Sequence, residues 1–135
     1  MSPEHHAKEL LAAYDGASRL ALRTAADEGF DLPRAYEVAD LIRQQRIARG
    51  ERPLGYKIGF TNRTIWSRYG VYGPIWGPVW DTTTHWFGSA HAEISLAGLV
   101  QPRIEPEIVF GFASAPRAGM TEGELAACID WVAHG

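Results

Sequence analysis

Apolar residues recur every three to four positions through the first part of the chain. Leu10, Leu11, Tyr14, Ala17, Ser18, Ala21, Leu22 and Ala25 make one helical stripe and predict a helix from residue 2 to about 28. Ser2 can cap it, Pro3 suits its first turn, Glu4 favours its positive end, and Gly29 stops it. A second helix is predicted from about Pro33 to Arg49, with Tyr36, Ala39, Ile42 and Ile47 on one side and Gly50 closing it. From Glu51-Arg52-Pro53 onward the period changes. Gly and Pro become frequent, and aromatic and β-branched residues dominate, as in strands punctuated by turns. Leu54–Thr61 reads as a strand, Asn62–Tyr69 as a short helix, and Gly70–Pro74 as a turn. Ile75–Asp81 reads as an extended stretch broken at Gly77-Pro78, residues 82–86 as loop, and 92–96 as an alternating segment. Arg103–Phe110 alternates cleanly and predicts a strand extended by Gly111 and Phe112. Thr121-Glu122-Gly123-Glu124 has the pattern of a capping box opening a last helix over 121–133, with Leu125, Ile129 and Val132 as its apolar face. The class is α+β: a helical region, 1–50, followed by a β-rich region, 51–135.

The Arg103–Phe110 strand carries the most distinctive chemistry. Ile104, Ile108 and Phe110 point one way and Glu105 and Glu107 the other. Two carboxylates side by side repel unless a cation lies between them. Mg²⁺ accepts one or two carboxylates plus substrate oxygens. A wet polar face balanced by Arg103 is the plainer alternative. Lys57, framed by Gly55 and Gly59, is either a desolvated proton-transfer group or an amine reaching to solvent. Asp81 and His85 are too few to make a metal site. His5 and His6 fall in the first turn of the first helix, where solvent exposure is expected. Arg43, Arg46 and Arg49 crowd the end of the second helix and complement its dipole.

Composition narrows the partners. The 135 residues are 46% hydrophobic and 21% charged, with a net charge of −3. That supports one real core and no basic stripe for nucleic acid. Cys128 is the single cysteine, so no internal disulfide forms, and burial as a small apolar side chain is expected. No signal sequence and no bilayer-length apolar run is evident, which points to a cytoplasmic protein with no membrane partner.

Three segments in order, Gly55-Tyr56-Lys57-Ile58-Gly59-Phe60-Thr61, Gly70-Val71 to Pro74-Ile75-Trp76-Gly77, and Gln101-Pro102-Arg103-Ile104-Glu105-Pro106-Glu107-Ile108, resemble the 2-keto-4-pentenoate hydratase and 4-oxalocrotonate decarboxylase group of the fumarylacetoacetate hydrolase superfamily. The resemblance runs over the whole chain. It implies a mixed β-roll with a helical N-terminal region. It implies Mg²⁺ or Mn²⁺ held by three carboxylates, two of them Glu105 and Glu107 and the third beyond Gly135. Members of the group are close to twice this length, so a truncated or partial chain is expected. The resemblance also implies Lys57 as an active-site lysine, Asp81 as a weaker acid–base candidate, and a homo-oligomer, with a hydratase–decarboxylase complex as a further partner. The activity it implies is hydration of a 2-hydroxy-2,4-dienoate to a 4-hydroxy-2-keto acid in the catabolism of aromatic compounds. The alternatives are 4-oxalocrotonate-type decarboxylation, hydrolysis of an acylpyruvate C–C bond, and an inactive chain serving only as an interaction partner.

Overall fold

The computed structural model describes residues 1–135, apart from the side chain of Ala26. The chain forms two compact units, Met1–Val100 and Gln101–Gly135.

The first unit begins with helix α1, Pro3–Asp15, capped by the Ser2 hydroxyl accepting from the His5 N–H. The expected continuation to residue 28 does not occur. Ala17 takes the left-handed conformation (φ 46°). The Ser18 N–H then bonds to the Ala13 carbonyl and the Ala17 N–H to the Tyr14 carbonyl, the Schellman arrangement that ends a helix. Gly16 carries no Cβ into this turn. The remaining helical tendency survives as one short turn, α2 (Arg23–Ala26). Helix α3, Leu32–Ala48, starts as the pattern predicts, with Asp31 capping the Arg34 N–H at 2.9 Å. α1 packs against α3.

His6, expected in solvent, is fully buried between these elements. Its Nε2 lies 3.1 Å from Asp27 Oδ2, and its ring meets Phe30 edge-on at 4.9 Å. Asp27 also holds the Met1 ammonium at 3.0 Å and the Gly29 N–H at 3.1 Å. The Met1 ammonium first, then His6 and the Gly29 amide, keep the Asp27 carboxyl far below the usual range.

A polar brace joins the helices to the first hairpin. The Arg46 guanidinium lies over the rings of Trp80 (4.3 Å) and Tyr14 (4.9 Å). It donates to Glu51, which also accepts from Thr82 (2.6 Å) and from Arg49. Arg49 reaches Asp15 at the end of α1 at 2.7 Å. Arg46 and Glu51 are both buried, and the Arg46 hydrogen bonds chiefly hold the Glu51 carboxyl down to about 2. The arginines at the end of α3 therefore do more than complement its dipole.

Strands β1 (Pro53–Gly59) and β2 (Ile75–Trp80) pair antiparallel. β1 stops where Phe60 turns to φ 58°. A 3₁₀ turn at Arg63–Ile65 and the single helical turn α4 (Trp66–Tyr69) lead to Gly70, whose φ of 64° closes α4. β2 runs unbroken through Gly77-Pro78. The expected break is absent because Tyr56↔Pro78 and Lys57↔Gly77 remain paired in register. Residues 92–96, expected to alternate as a strand, form no regular structure.

In the second unit, β3 spans Ile108–Phe112 and pairs antiparallel with β4, Ile129–His134. Between them, α5 (Glu122–Ala126) carries the predicted capping box, Thr121 and Glu124 bonding reciprocally. The expected helix over 121–133 is thus half right. After Cys128, the residues Ile129-Asp130-Trp131-Val132 alternate with period two and join the ladder, where β-branched and aromatic side chains fit better. Cys128 is buried, its thiol donating to the Glu124 carbonyl. The units are consistent with an α+β class.

Candidate active site

Lys57 sits at the centre of one face of the β1–β2 hairpin. By alternation, Gly55 and Gly59 share its face. Directly across lies Gly77, with Val79 opposite Gly55 and Ile75 opposite Gly59. Every nearest neighbour of Lys57 on the sheet surface is therefore a glycine, and the apolar side chains stand at the corners. The other face carries Tyr56, Ile58 and Trp76. Tyr36 of α3 stacks on Trp76 (centroids 5.2 Å apart), and Trp76 donates its backbone N–H to the Tyr36 hydroxyl at 3.3 Å. Tyr36 of α3 covers only part of this face, whose Tyr56, Ile58 and Trp76 stay more than half exposed. The pattern marked Gly55 and Gly59 as framing Lys57. It missed Gly77, because cross-strand register is not written in local spacing.

Glu105 and Glu107 occur where the second unit's ladder begins. Glu107 is anchored to Gly135 by two backbone hydrogen bonds, its N–H donating at 2.8 Å and its carbonyl accepting at 3.1 Å. This adds one step to β3 beyond Ile108. By alternation Glu107 shares the face of Val109 and Gly111, opposite Ile108 and Phe110. Glu105 lies ahead of the regular strand, so the strand predicted from Arg103 starts later than its pattern suggests. The apolar side is not a covered back: Ile104 is 95% exposed and Ile108 55%. Two carboxylates spaced by one residue are a hard oxygen donor set that suits Mg²⁺ or Mn²⁺. No group of three or more His, Cys, Asp or Glu able to hold a metal occurs among the described residues.

Asp81 has other employment. Its carboxylate accepts from the Arg52 N–H at 2.9 Å and from Arg52 Nε at 3.0 Å. These bonds, the backbone one first, lower its pKa, which makes it a poor proton donor near neutrality. It clamps the start of β1 to the end of β2. His85 lines an open depression of about 450 Å³ with Trp86, Phe87, Glu93 and Ile94, apart from Asp81. No described helix is long and apolar enough to cross a membrane.

No protein-family model matches the chain. It is 36% identical over 107 residues to a 4-oxalocrotonate decarboxylase of a Pseudomonas species, covering 79% of this chain and 41% of that protein. It is 31% identical over 131 residues to a 2-hydroxyhexa-2,4-dienoate hydratase of Comamonas testosteroni, covering 96% and 49% respectively. The fold matches the solved 4-oxalocrotonate decarboxylase of Pseudomonas putida G7 in complex with calcium and acetate. That match has a TM-score of 0.83 and 27% identity over 96% of this chain and 49% of that one. The same enzyme with magnesium and adipate gives 0.82. The chain spans about half the length of these relatives. In sequence and in fold alike, it is a homologue of the 2-keto-4-pentenoate hydratase and 4-oxalocrotonate decarboxylase group.

Proposed function

We propose that this chain belongs to a divalent-metal-dependent lyase that hydrates a 2-hydroxy-2,4-dienoate to a 4-hydroxy-2-keto acid. The observation that carries this reading is the match over 96% of the chain to a dienoate hydratase; the Lys57 amine and the Glu105 and Glu107 carboxylates are the residue types such chemistry uses. Glu105 and Glu107 would hold Mg²⁺ or Mn²⁺, which when bound supplies Lewis-acid polarisation of an oxygen on the substrate. The two backbone hydrogen bonds to Gly135 fix the Glu107 backbone.

Lys57 supplies a positive charge on a bare sheet surface. It attracts the acid and stabilises the negative charge that develops at the 2-oxygen as the double bonds shift. It is also the group suited to carry a proton to or from that oxygen. Water then adds at the far end of the conjugated chain. Asp81, kept ionised by its bonds to Arg52, remains a weaker candidate and then as a base rather than an acid.

Decarboxylation is the second reading. It is favoured by the 36% identity to a 4-oxalocrotonate decarboxylase and by the name borne by both matched structures. Assaying 2-hydroxypenta-2,4-dienoate against 4-oxalocrotonate, with CO₂ release as the second readout, separates the two.

The metal assignment is tested by Glu105→Gln with Glu107→Gln. Mn²⁺ binding followed by electron paramagnetic resonance, and Mg²⁺-dependent turnover, are both expected to be lost. Undiminished Mn²⁺ binding and Mg²⁺ activation in the double variant would reject it.

A further inference from the structure

Buried charged side chains satisfy their hydrogen-bonding groups on one another, so a guanidinium edge left over at a buried position points to something else. Arg46 is only 7% exposed. Its Nε and Nη2 both donate to Glu51, and Nη2 also reaches the Thr82 hydroxyl at 3.4 Å. Its Nη1 makes no hydrogen bond among the described residues. Nor is it sealed in, since among them only His6 Nδ1 is an enclosed side-chain polar atom without a partner. Nη1 therefore reaches solvent. The open space beside it is a depression of about 360 Å³, lined by Tyr14, Arg46, Arg49, Glu51, Thr82 and Thr83.

The rest of the lining follows the same inventory. Arg49 spends Nε on Glu51 and Nη1 on both oxygens of Asp15, which leaves Nη2. The Thr82 hydroxyl donates to Glu51 and the Thr83 hydroxyl to the Trp80 carbonyl. The Tyr14 ring lies against the Arg46 guanidinium at 4.9 Å, while its hydroxyl makes no hydrogen bond among the described residues. Glu51, the one acidic residue of the lining, has both oxygens taken. The groups left over are donors: Arg46 Nη1, Arg49 Nη2 and the Tyr14 hydroxyl. Helices α1 and α3 both end here, and carbonyl ends of helices disfavour anions. Those carbonyls are already used, however: Ala12, Ala13 and Tyr14 accept from Gly16, Ser18 and Ala17, and Gln45, Arg46 and Ile47 from Arg49, Glu51 and Gly50.

We propose that this depression binds a compact oxyanion, a carboxylate or a phosphate group, held by Arg46, Arg49 and Tyr14. Guanidinium edges match both oxyanions with paired, charge-assisted hydrogen bonds. The site is separate from Lys57. Trp80, against which Arg46 packs, shares its face of the hairpin with Pro78 and Trp76, whereas Lys57 pairs with Gly77 on the other. The proposal is therefore independent of the dienoate reading. A bound anion would join the ends of α1 and α3 at the base of the hairpin and stabilise the first unit by mass action, as an effector does.

The test titrates the ¹⁵N-labelled 135-residue chain with sodium phosphate and, separately, sodium acetate, the ionic strength being held constant with sodium chloride. Saturable shifts of the Arg46 and Arg49 Nε–H signals are expected. Arg49→Gln should weaken binding by about ten-fold or more, the scale of one lost charge-assisted hydrogen bond. Tyr14→Phe, which keeps the ring against Arg46, should weaken it several-fold. Arg43→Gln removes the same charge from the same helix, where Arg43 bonds to Asp40, and should leave binding unchanged.

Equal weakening by Arg43→Gln would mark diffuse attraction and overturn the site. So would phosphate and acetate shifts no larger than those chloride gives. If Arg49→Gln loses the dispersed spectrum of a folded chain, Tyr14→Phe decides, and wild-type affinity in that variant overturns the proposal. Tighter binding of acetate than of phosphate assigns a carboxylate ligand, the reverse order a phosphate group, and either order sustains the oxyanion site.

Discussion

At the residue scale the clearest division is between charges that hold the fold and charges available for chemistry. Glu51 belongs to the first kind. Its carboxylate gathers Arg46, Arg49 and Thr82, and its folded pKa of about 2 lies below the ordinary 4.5. A group with a depressed folded pKa stabilises fully above its unfolded value, and the contribution is lost as pH falls through the folded one. Stability of the first unit should therefore decline between about pH 4.5 and pH 2. Glu51→Gln should remove this step and cost about 2 kcal/mol at pH 7, the scale of losing charge-assisted hydrogen bonds. Urea titrations of both chains across that range check it. An unchanged acid limb in the variant would place the acid sensitivity elsewhere. Asp81 is a second structural charge. The family resemblance made it a weaker acid–base candidate; in the fold it meets Arg52, distant in sequence. Residue type and spacing identify a carboxylate, and only the fold says which cation it meets.

At the element scale, capping chemistry was legible and pairing was not. Ser2 and Thr121 cap the helices expected of them, because a cap is a contact across three residues. The end of the last helix was misread, since Leu125, Ile129 and Val132 fit a helical stripe as well as Ile129–Val132 fits a strand. Pairing with β3 decides for the strand. In that pair Trp131 lies across Gly111, where an added Cβ would come within 1.9 Å of the indole. Gly111→Ala should therefore destabilise the second unit by about 1–3 kcal/mol, the cost of overpacking. Adding Trp131→Ala should make the second substitution far less harmful than either alone suggests. Thermal melts of the four chains measure the coupling, and strict additivity would show that the ring is not wedged against Gly111.

At the scale of the whole molecule, the chain spans 49% of the dienoate hydratase it matches, and its strands lie in two separate two-stranded sheets. Such pairs are marginal alone and leave edges open. The apolar partners Phe110 and Val132, paired across β3 and β4, are 49% and 59% exposed. The isolated 135-residue chain should therefore associate. Sedimentation at tens of micromolar is expected to show species heavier than a monomer, and Phe110→Lys with Val132→Glu should reduce them while keeping a complementary cross-strand pair. A monodisperse monomer with one sharp thermal transition would count against this. What the sequence by itself determined is whatever depends on near neighbours: the helix starts, the change of period near residue 50, and the Glu105–Glu107 spacing. The ordered motifs that mark the family belong here too, since order along a chain is a sequence property. Tertiary structure alone decided the burial of His6 against Phe30, the brace on Glu51, the pairing of Asp81 with Arg52, and the placing of Gly77 opposite Lys57. Each of these joins residues brought together by chain reversal, and the register of a reversal is set by packing over the whole unit rather than by any local period.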